Sequence, residues 1–244
     1  MAGHSKWSQI KRKKAVTDKK RGAMYSKHLA AISVAVRNGN SGDTAANLGL
    51  KNALSLAKRD GVPADNIANA IKKALGGGEA AQLDEVIYEG YGAAGVAVLV
   101  YGLTNNRNRT AGEVRHAFTK HGGSMSGGVA WMFERQGLIT LAKNDDDTQL
   151  MAMDLGATDL EVYDEDGEDR MDVYTSFTDM IGIAESFRQS GLEPISVEFT
   201  SLAENTVDVS PEDAPKVLRL LEALEELDDV QSVYSNLNLD ALED

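Results

Sequence analysis

Three consecutive glycines, Gly76-Gly77-Gly78, split this chain into two stretches whose apolar residues follow different periods. Glycine has no Cβ and the largest backbone entropy to lose, so a run of three interrupts a helix or a strand and marks a boundary. Before it, apolar positions recur every three or four residues. Tyr25, Leu29, Ile32 and Val36 are spaced 4, 3 and 4, one face of a helix, and Asn38-Gly39 supplies a left-handed stop. Asp43 can cap a second stripe, Ala46, Leu50, Ala53, Leu54 and Ala57, which Gly61 ends. Pro63 suits a first helical position, Asp65 a first turn, and Ile67, Ile71, Ala74 and Leu75 the buried face of a further helix. Residues 1–78 therefore read as an all-α domain.

After the glycines the period shortens. Glu85–Tyr91 and Val96–Leu103 read as strands, Thr110–His121 as a helix with Val114, Ala117 and Phe118 inward, and Val129–Glu134 as a strand. A second series follows: strand Leu138–Leu141, helix Thr148–Leu155, strands Asp159–Tyr163 and Met171–Thr175, helix Thr178–Gln189 and strand Ile195–Phe199. That order is βαββαβ, the ferredoxin-like unit. Strand Thr206–Val209, a helix opened by Ser210, Pro211 and Asp213, and strand Gln231–Tyr234 complete the chain. This last βαβ cannot close a sheet alone, but joined to the elements at 96–134 it makes another βαββαβ. The expected class is α+β: an all-α N-terminal domain, then two ferredoxin-like α/β domains, one inserted in the other. The discontinuous one spans 79–136 plus 203–244, and the insertion spans 137–202.

Charge follows the same division. The net charge of −13 conceals 15 Lys+Arg against 4 Asp+Glu in residues 1–75, and 10 against 34 in the remainder. Residues 1–27 alone carry Lys6, Lys11, Arg12, Lys13, Lys14, Lys19, Lys20, Arg21 and Lys27 against Asp18. A helix charged all round has no core to enter, and like charges three and four apart repel. Closely spaced phosphates would offset that repulsion by releasing counterions. Trp7 could stack on a base or pack on a neighbouring helix. A solvated basic tail or a ribosome-surface arm is the plainer alternative.

Other motifs carry less. Asn105-Asn106-Arg107-Asn108-Arg109-Thr110 joins a strand to a helix, and Arg107 and Arg109 at a helix N-terminus form a candidate anion site. The alternative is turn chemistry, with Asn108 as the cap and both guanidiniums paired to carboxylates. Gly90-Tyr-Gly-Ala-Ala-Gly95 has the G-x-G-x-x-G spacing, yet it runs into Val-Ala-Val-Leu-Val, a strand, where a dinucleotide site needs a helix N-terminus. It reads as a hairpin turn. Gly122–Gly128 is a second glycine-rich connection, in which Met125 could be an exposed contact residue. Zero cysteine removes disulfides and thiolate ligands, and the four histidines lack zinc-ligand spacing. No cofactor, metal or catalytic residue is expected. A metal-dependent nuclease acting on duplex or branched DNA stays an alternative only because carboxylates are abundant. The longest apolar run, Gly95–Leu103, falls far short of the ~20 residues of a membrane span, and no secretory signal opens the chain. A cytoplasmic, membrane-free protein is expected.

Several segments together resemble the YebC/PmpR family: Ala2-Gly-His-Ser-Lys-Trp7, Ile10-Lys-Arg-Lys-Lys14, Asp18-Lys-Lys-Arg21, Asn66-Ile-Ala-Asn-Ala-Ile-Lys-Lys73, Tyr88-Glu-Gly-Tyr-Gly92, Thr104–Thr110 and Gly127-Gly-Val-Ala-Trp131. The resemblance covers essentially the full chain. It implies three domains, one all-α and two α/β, one of these inserted in the other. It also implies a regulator of gene expression, since bacterial relatives are described as DNA-binding transcriptional regulators and mitochondrial ones as translational activators. The expected partner is DNA, with ribosomal RNA or the ribosome as the alternative, and the acidic domains could present a protein-binding surface.

Overall fold

The structure, a computed structural model, describes residues 18–76, 83–165, 167–239 and 241. Three helices, α1 (Asp18–Asn38), α2 (Leu48–Arg59) and α3 (Ala64–Leu75), enclose a core of Ile32, Val36, Leu50, Ala57, Val62, Ile67 and Ala70. The 4–3–4 stripe of α1 faces that core as its period requires, with Tyr25 and Leu29 half-buried against it. Leu75, expected inside, is 54 % exposed. It sits in the last turn of α3 and projects past the core onto the α1–α2 loop beside Gly42.

Two local expectations change here. The left-handed residue after α1 is Asn40, at φ 45°, and not Gly39. Gly39 is required for space: a Cβ there would lie 2.3 Å from Nδ2 of Asn47. Asn47, not Asp43, caps α2. Its Oδ1 accepts from the Leu50 amide at 2.9 Å, and its Nδ2 donates to the carbonyls of Ala35 and Ser41 at 2.9 and 3.0 Å. The Asp43 carboxylate accepts from the Ala45 amide, within the preceding turn. One buried amide thus satisfies a donor of α2, a carbonyl of α1 and a loop carbonyl, and ties α2 to the end of α1.

From residue 84 the elements run β1 (Asp84–Tyr91), β2 (Ala97–Thr104), α4 (Arg107–Lys120), β3 (Phe133–Leu141), α5 (Asp146–Asp154), β4 (Asp159–Glu165), β5 (Glu168–Ser176), α6 (Met180–Gln189), β6 (Ser196–Ala203), α7 (Ala214–Glu225) and β7 (Val230–Ser235). They form two antiparallel sheets, β1-β2-β7 and β4-β5-β3-β6. The second is a βαββαβ unit with the ferredoxin-like strand order, and α5 and α6 lie on one face over Ile139, Leu141, Met171, Val173 and Val197. In the first, α4 and α7 cover Val98, Val100, Val230 and Val233 with Val114, Phe118, Val217, Leu220, Leu221 and Leu224. Each such side chain contributes roughly 1.5–3 kcal/mol on burial. The other face of this sheet meets the second unit: Ala97, Leu99 and Tyr234 cluster with Phe133, and the rings of Tyr101 and Phe199 meet edge to face at 5.3 Å. The class is therefore α+β, with a helical N-terminal region followed by two sheets built from βαββαβ-like elements.

Strand limits differ from expectation. Of the expected strand Val129–Glu134 only Phe133 and Glu134 are strand, continuous with the expected Leu138–Leu141 in β3, while Ala130–Met132 form a short 3-10 turn before it. Arg135, Gln136 and Gly137 resemble a turn locally, but β5 and β6 flank them and bury Gln136 and Gly137. Thr206–Val209 forms no strand and holds a single parallel bridge, Val207 to Leu237. The Gly90–Gly95 segment is a hairpin connection, as expected, with Ala94 and Gly95 at φ 54° and 75°. Among the described residues no helix is long and apolar enough to cross a membrane.

Candidate nucleic-acid interface

The cationic leader enters the fold through α1. Lys6, Trp7, Lys11, Arg12, Lys13 and Lys14 lie outside the described residues, as do the side chains of Lys19 and Lys20, whose backbone opens α1. Arg21 follows and is exposed. Lys27 has a structural engagement: Nζ donates to the carbonyl of Glu225 at 2.5 Å, at the last turn of α7. A cation there meets the negative end of the helix dipole. At the far end of α1, Arg37 donates to the carbonyl of Leu83 at 3.3 Å. Between these points His28 Nε2 lies 2.8 Å from Asp60, the residue that closes α2. Burial pushes the Asp60 carboxyl upward, but the bonds from His28 and Arg59 outweigh it and hold the pKa far below the usual carboxylate range. α1 is thus held at its middle to the end of α7 and at its C-terminal end to the segment that leads into β1.

The second sequence-predicted site is the β2–α4 turn. Asn106, not Asn108, caps α4, accepting from the Arg109 amide at 3.1 Å, so the helix starts at Arg107, three residues earlier than its apolar stripe suggested. Arg107 Nε donates to Asp84 at 3.0 Å, and Arg109 to Asp229 at 2.6 Å. The hydroxyls of Thr104 and Thr110, both buried, donate to the same Asp229 oxygen at 2.9 and 2.6 Å. Burial raises the Asp229 pKa, and the bonds from Arg109, Thr110 and Thr104 more than reverse that, leaving it lowered. The bond to Asp229 raises the Arg109 pKa in return. Carboxylates of the chain itself therefore occupy the anionic position at both guanidiniums, although 65 % and 46 % of the two side chains remain exposed.

The glycine-rich connection is pinned. Tyr91 and Ser124 exchange backbone hydrogen bonds at 2.9 and 2.8 Å, and a Cβ at Gly123 would stand 2.6 Å from the Tyr91 carbonyl. Met125, expected as an exposed contact, packs against the core under α4 and α7. Exposure falls instead on Trp131, at 73 %, whose Nε1 donates to the Gly128 carbonyl at 3.1 Å. Sequence reasoning also passed over Arg115, His116, Lys120, His121 and Arg219. Their signal is present in the spacing of α4: with Val114, Ala117 and Phe118 inward, positions 115, 116 and 120 must face solvent.

Comparison with known proteins gives concordant results. The family model described as "TACO1/YebC protein N-terminal domain" matches residues 5–77, and "TACO1/YebC second and third domain" matches residues 83–237. A protein of Thermus thermophilus described as "Probable transcriptional regulatory protein" is 52 % identical over 246 residues, covering 100 % of this chain and 99 % of the relative. One from Deinococcus radiodurans with the same description is 51 % identical, covering 98 % of each. The crystal structure of a conserved hypothetical protein from Aquifex aeolicus superposes with a TM-score of 0.79 at 39 % identity, covering 91 % of both chains.

Proposed function

The chain belongs to the TACO1/YebC family, and on that footing we propose that it is a DNA-binding regulator of gene expression whose leading 27 residues grip the phosphate backbone. One observation carries the reading: those residues hold nine Lys or Arg against Asp18, on a chain whose residues 76–244 hold 10 Lys+Arg against 34 Asp+Glu. Such a body repels polyanions everywhere except where cations are gathered, so it orients the nucleic acid onto the leader. The relatives' description as transcriptional regulators supports duplex DNA as the target. Recognition runs through backbone and shape, because the cations are point charges suited to phosphates and carry no base-reading pattern. The protein acts in the cytoplasm as a binding protein, not an enzyme, and its acidic surface is open to a protein partner.

The test is a titration of a labelled duplex across salt. With about six phosphates neutralised, log K against log salt falls with a slope near −5. Reversing charge at Lys11, Arg12, Lys13 and Lys14 abolishes most of that slope while leaving the circular dichroism spectrum intact. Unchanged duplex binding in that variant refutes the reading. Loss of ribosome cosedimentation in the same variant, with no duplex affinity in the parent protein, moves the target to ribosomal RNA.

A further inference from the structure

We propose that the solvent face of the second half of α4, with Arg219 of α7, is a second phosphate-contacting surface, built from Arg115, His116, Lys120, His121 and Arg219. The choice of a nucleic-acid backbone as its occupant rests on the function proposed above; the existence of an anion-seeking patch does not.

Residues 76–244 contain ten Lys and Arg among 34 Asp and Glu. Six of the ten pair with carboxylates: Arg107 with Asp84, Arg109 with Asp229, Lys143 with Asp145, Arg170 with Glu165 and Glu168, Arg188 with Glu185 and Glu193, and Lys216 with Asp213. A seventh, Arg135, lies over the rings of Phe177 and Phe199 at 4.0 and 4.3 Å. The remaining three, Arg115, Lys120 and Arg219, form no ion pair among the described residues, and all are exposed. Where carboxylates outnumber cations by more than three to one, three unpaired cations scattered at random would be unremarked. They are not scattered: the charges of Lys120 and Arg219 both reach His121, and Arg115 is exposed on the same half of α4 as Lys120, a stretch from Val114 to His121 that carries no carboxylate.

His121 reports the local field. Its pKa is lowered, first by burial and then by the charges of Lys120, Arg219 and His116. In a chain of net charge −13, the cations around His121 thus add to burial in disfavouring its protonated form. The negative end of the α4 dipole accounts for a cation at Lys120, but that effect fades within the last turn and does not reach Arg115. Beside the patch a groove of about 590 Å³ separates α4 from the end of α7, lined by Gly112, Glu113, His116, Lys120, His121 and Glu226 among others. Glu113 on the α4 side of that groove disfavours a phosphate within it, so the proposed backbone path follows the α4 ridge. Gly112 fits this: it sits exposed in mid-helix, where glycine costs about 1 kcal/mol relative to alanine, and a Cβ there would touch nothing within the chain.

Lys27, the last cation of the leader, donates to the Glu225 carbonyl, next to the Glu226 that lines the groove with His116 and Lys120, so a nucleic acid that reaches Lys27 lies beside α4.

The experiment compares three full-length proteins on a labelled duplex and on single-stranded RNA of the same sequence: parent, the leader charge reversal, and Arg115→Gln/Lys120→Gln/Arg219→Gln. The expected result for the triple variant is an affinity at least about tenfold weaker near 0.1 M salt and a salt slope reduced by about 2.7, three contacts at 0.9 each. In the parent protein, duplex should also protect Lys120 from acetylation while leaving the remote Lys143 reactive, a readout that needs no variant. A triple variant with parental slope and an unprotected Lys120, beside a leader variant that has lost binding, overturns the second surface and leaves the proposed function standing. Parental binding by both variants overturns both. Protection of Lys120 by polyglutamate or anionic vesicles but not by nucleic acid also overturns the assignment.

Discussion

Replacing Asp229 by alanine should destabilise the second and third units of this protein far more than removal of a surface charge would. The carboxylate is 16 % exposed and sits where the end of β2, the start of α4 and the start of β7 meet. It accepts from two buried hydroxyls, Thr104 and Thr110, and from the half-exposed Arg109. Hydrogen bonds to a charged group are worth roughly 1.5–3 kcal/mol each when buried, whereas the exposed guanidinium adds under about 1 kcal/mol. With Asp229 removed, the single Thr110 hydrogen can turn to the Thr104 oxygen 2.8 Å away or to the Asn106 carbonyl at 3.1 Å, which offsets part of the loss. The expected loss is therefore about 3 kcal/mol for Asp229→Ala and about 1–2 kcal/mol for Asp229→Asn, which keeps one acceptor. Urea unfolding followed at the end of β2 by amide hydrogen exchange measures it, because the amide of Leu103, bonded to the Asp229 carbonyl at 2.8 Å, reports this junction directly. The pH dependence has a definite sign. The folded carboxyl has a lowered pKa, so it stabilises fully above the unfolded value of about 3.9, and that stability disappears as pH falls through the folded value. The gap between parent and Asp229→Asn should be constant from neutrality to about pH 5 and close below pH 4. A loss under about 0.5 kcal/mol for Asp229→Ala, or a gap that widens in acid, refutes the account of this junction.

Two further substitutions test the packing. Asn47→Ala removes the α2 cap and the donor to the Ser41 carbonyl, while the Ala35 carbonyl keeps the Gly39 amide at 3.0 Å, so thermal or urea unfolding of the helical region should show a loss of about 1–2 kcal/mol, with Asn47→Asp only partly restoring it because a carboxylate cannot donate. Gly137→Ala places a Cβ 2.4 Å from Thr175 Oγ1 and 2.5 Å from Met180 Cβ; it should cost about 1–3 kcal/mol in urea, and Gly137→Ala with Thr175→Ala should lose less than the sum of the two single variants if the clash is the cause.

What the chain discloses locally and what it withholds follow from the range of the forces involved. The α1 stripe and the Gly90–Gly95 hairpin depend on spacing within one element, and both were legible. The identity of the α2 cap was not: Asp43 and Asn47 are equally able caps, and the choice falls to Asn47 because only an amide can donate to Ala35 and Ser41 while accepting from Leu50. β3 looked like two strands because Arg135-Gln136-Gly137 has turn composition, and only its neighbours β5 and β6 make it continuous. At the site, the position of Arg107 and Arg109 on a strand–helix turn was legible, while their carboxylate partners were not, since Asp84 and Asp229 lie 23 and 120 residues away in sequence. The α4 cations were visible as letters, but their meaning comes from the absence of an ion pair in a body where most other cations have one.

The acidic body also sets the range over which either cationic element can act. At physiological salt the screening length is about 8 Å, so a phosphate near Lys120 or Arg219 feels those charges and little of the distant carboxylates. At 0.01 M salt the length grows to about 30 Å, comparable to the span of a domain, and the 24 uncompensated negative charges of residues 76–244 then act on the same phosphate. Attraction at contact and repulsion at distance therefore respond oppositely to dilution of salt. A linear counterion-release slope belongs to the range in which the body is screened, and curvature toward weaker binding at lower salt is the signature of a cationic grip mounted on an anionic frame. A detached basic tail, having no such frame, keeps its straight line.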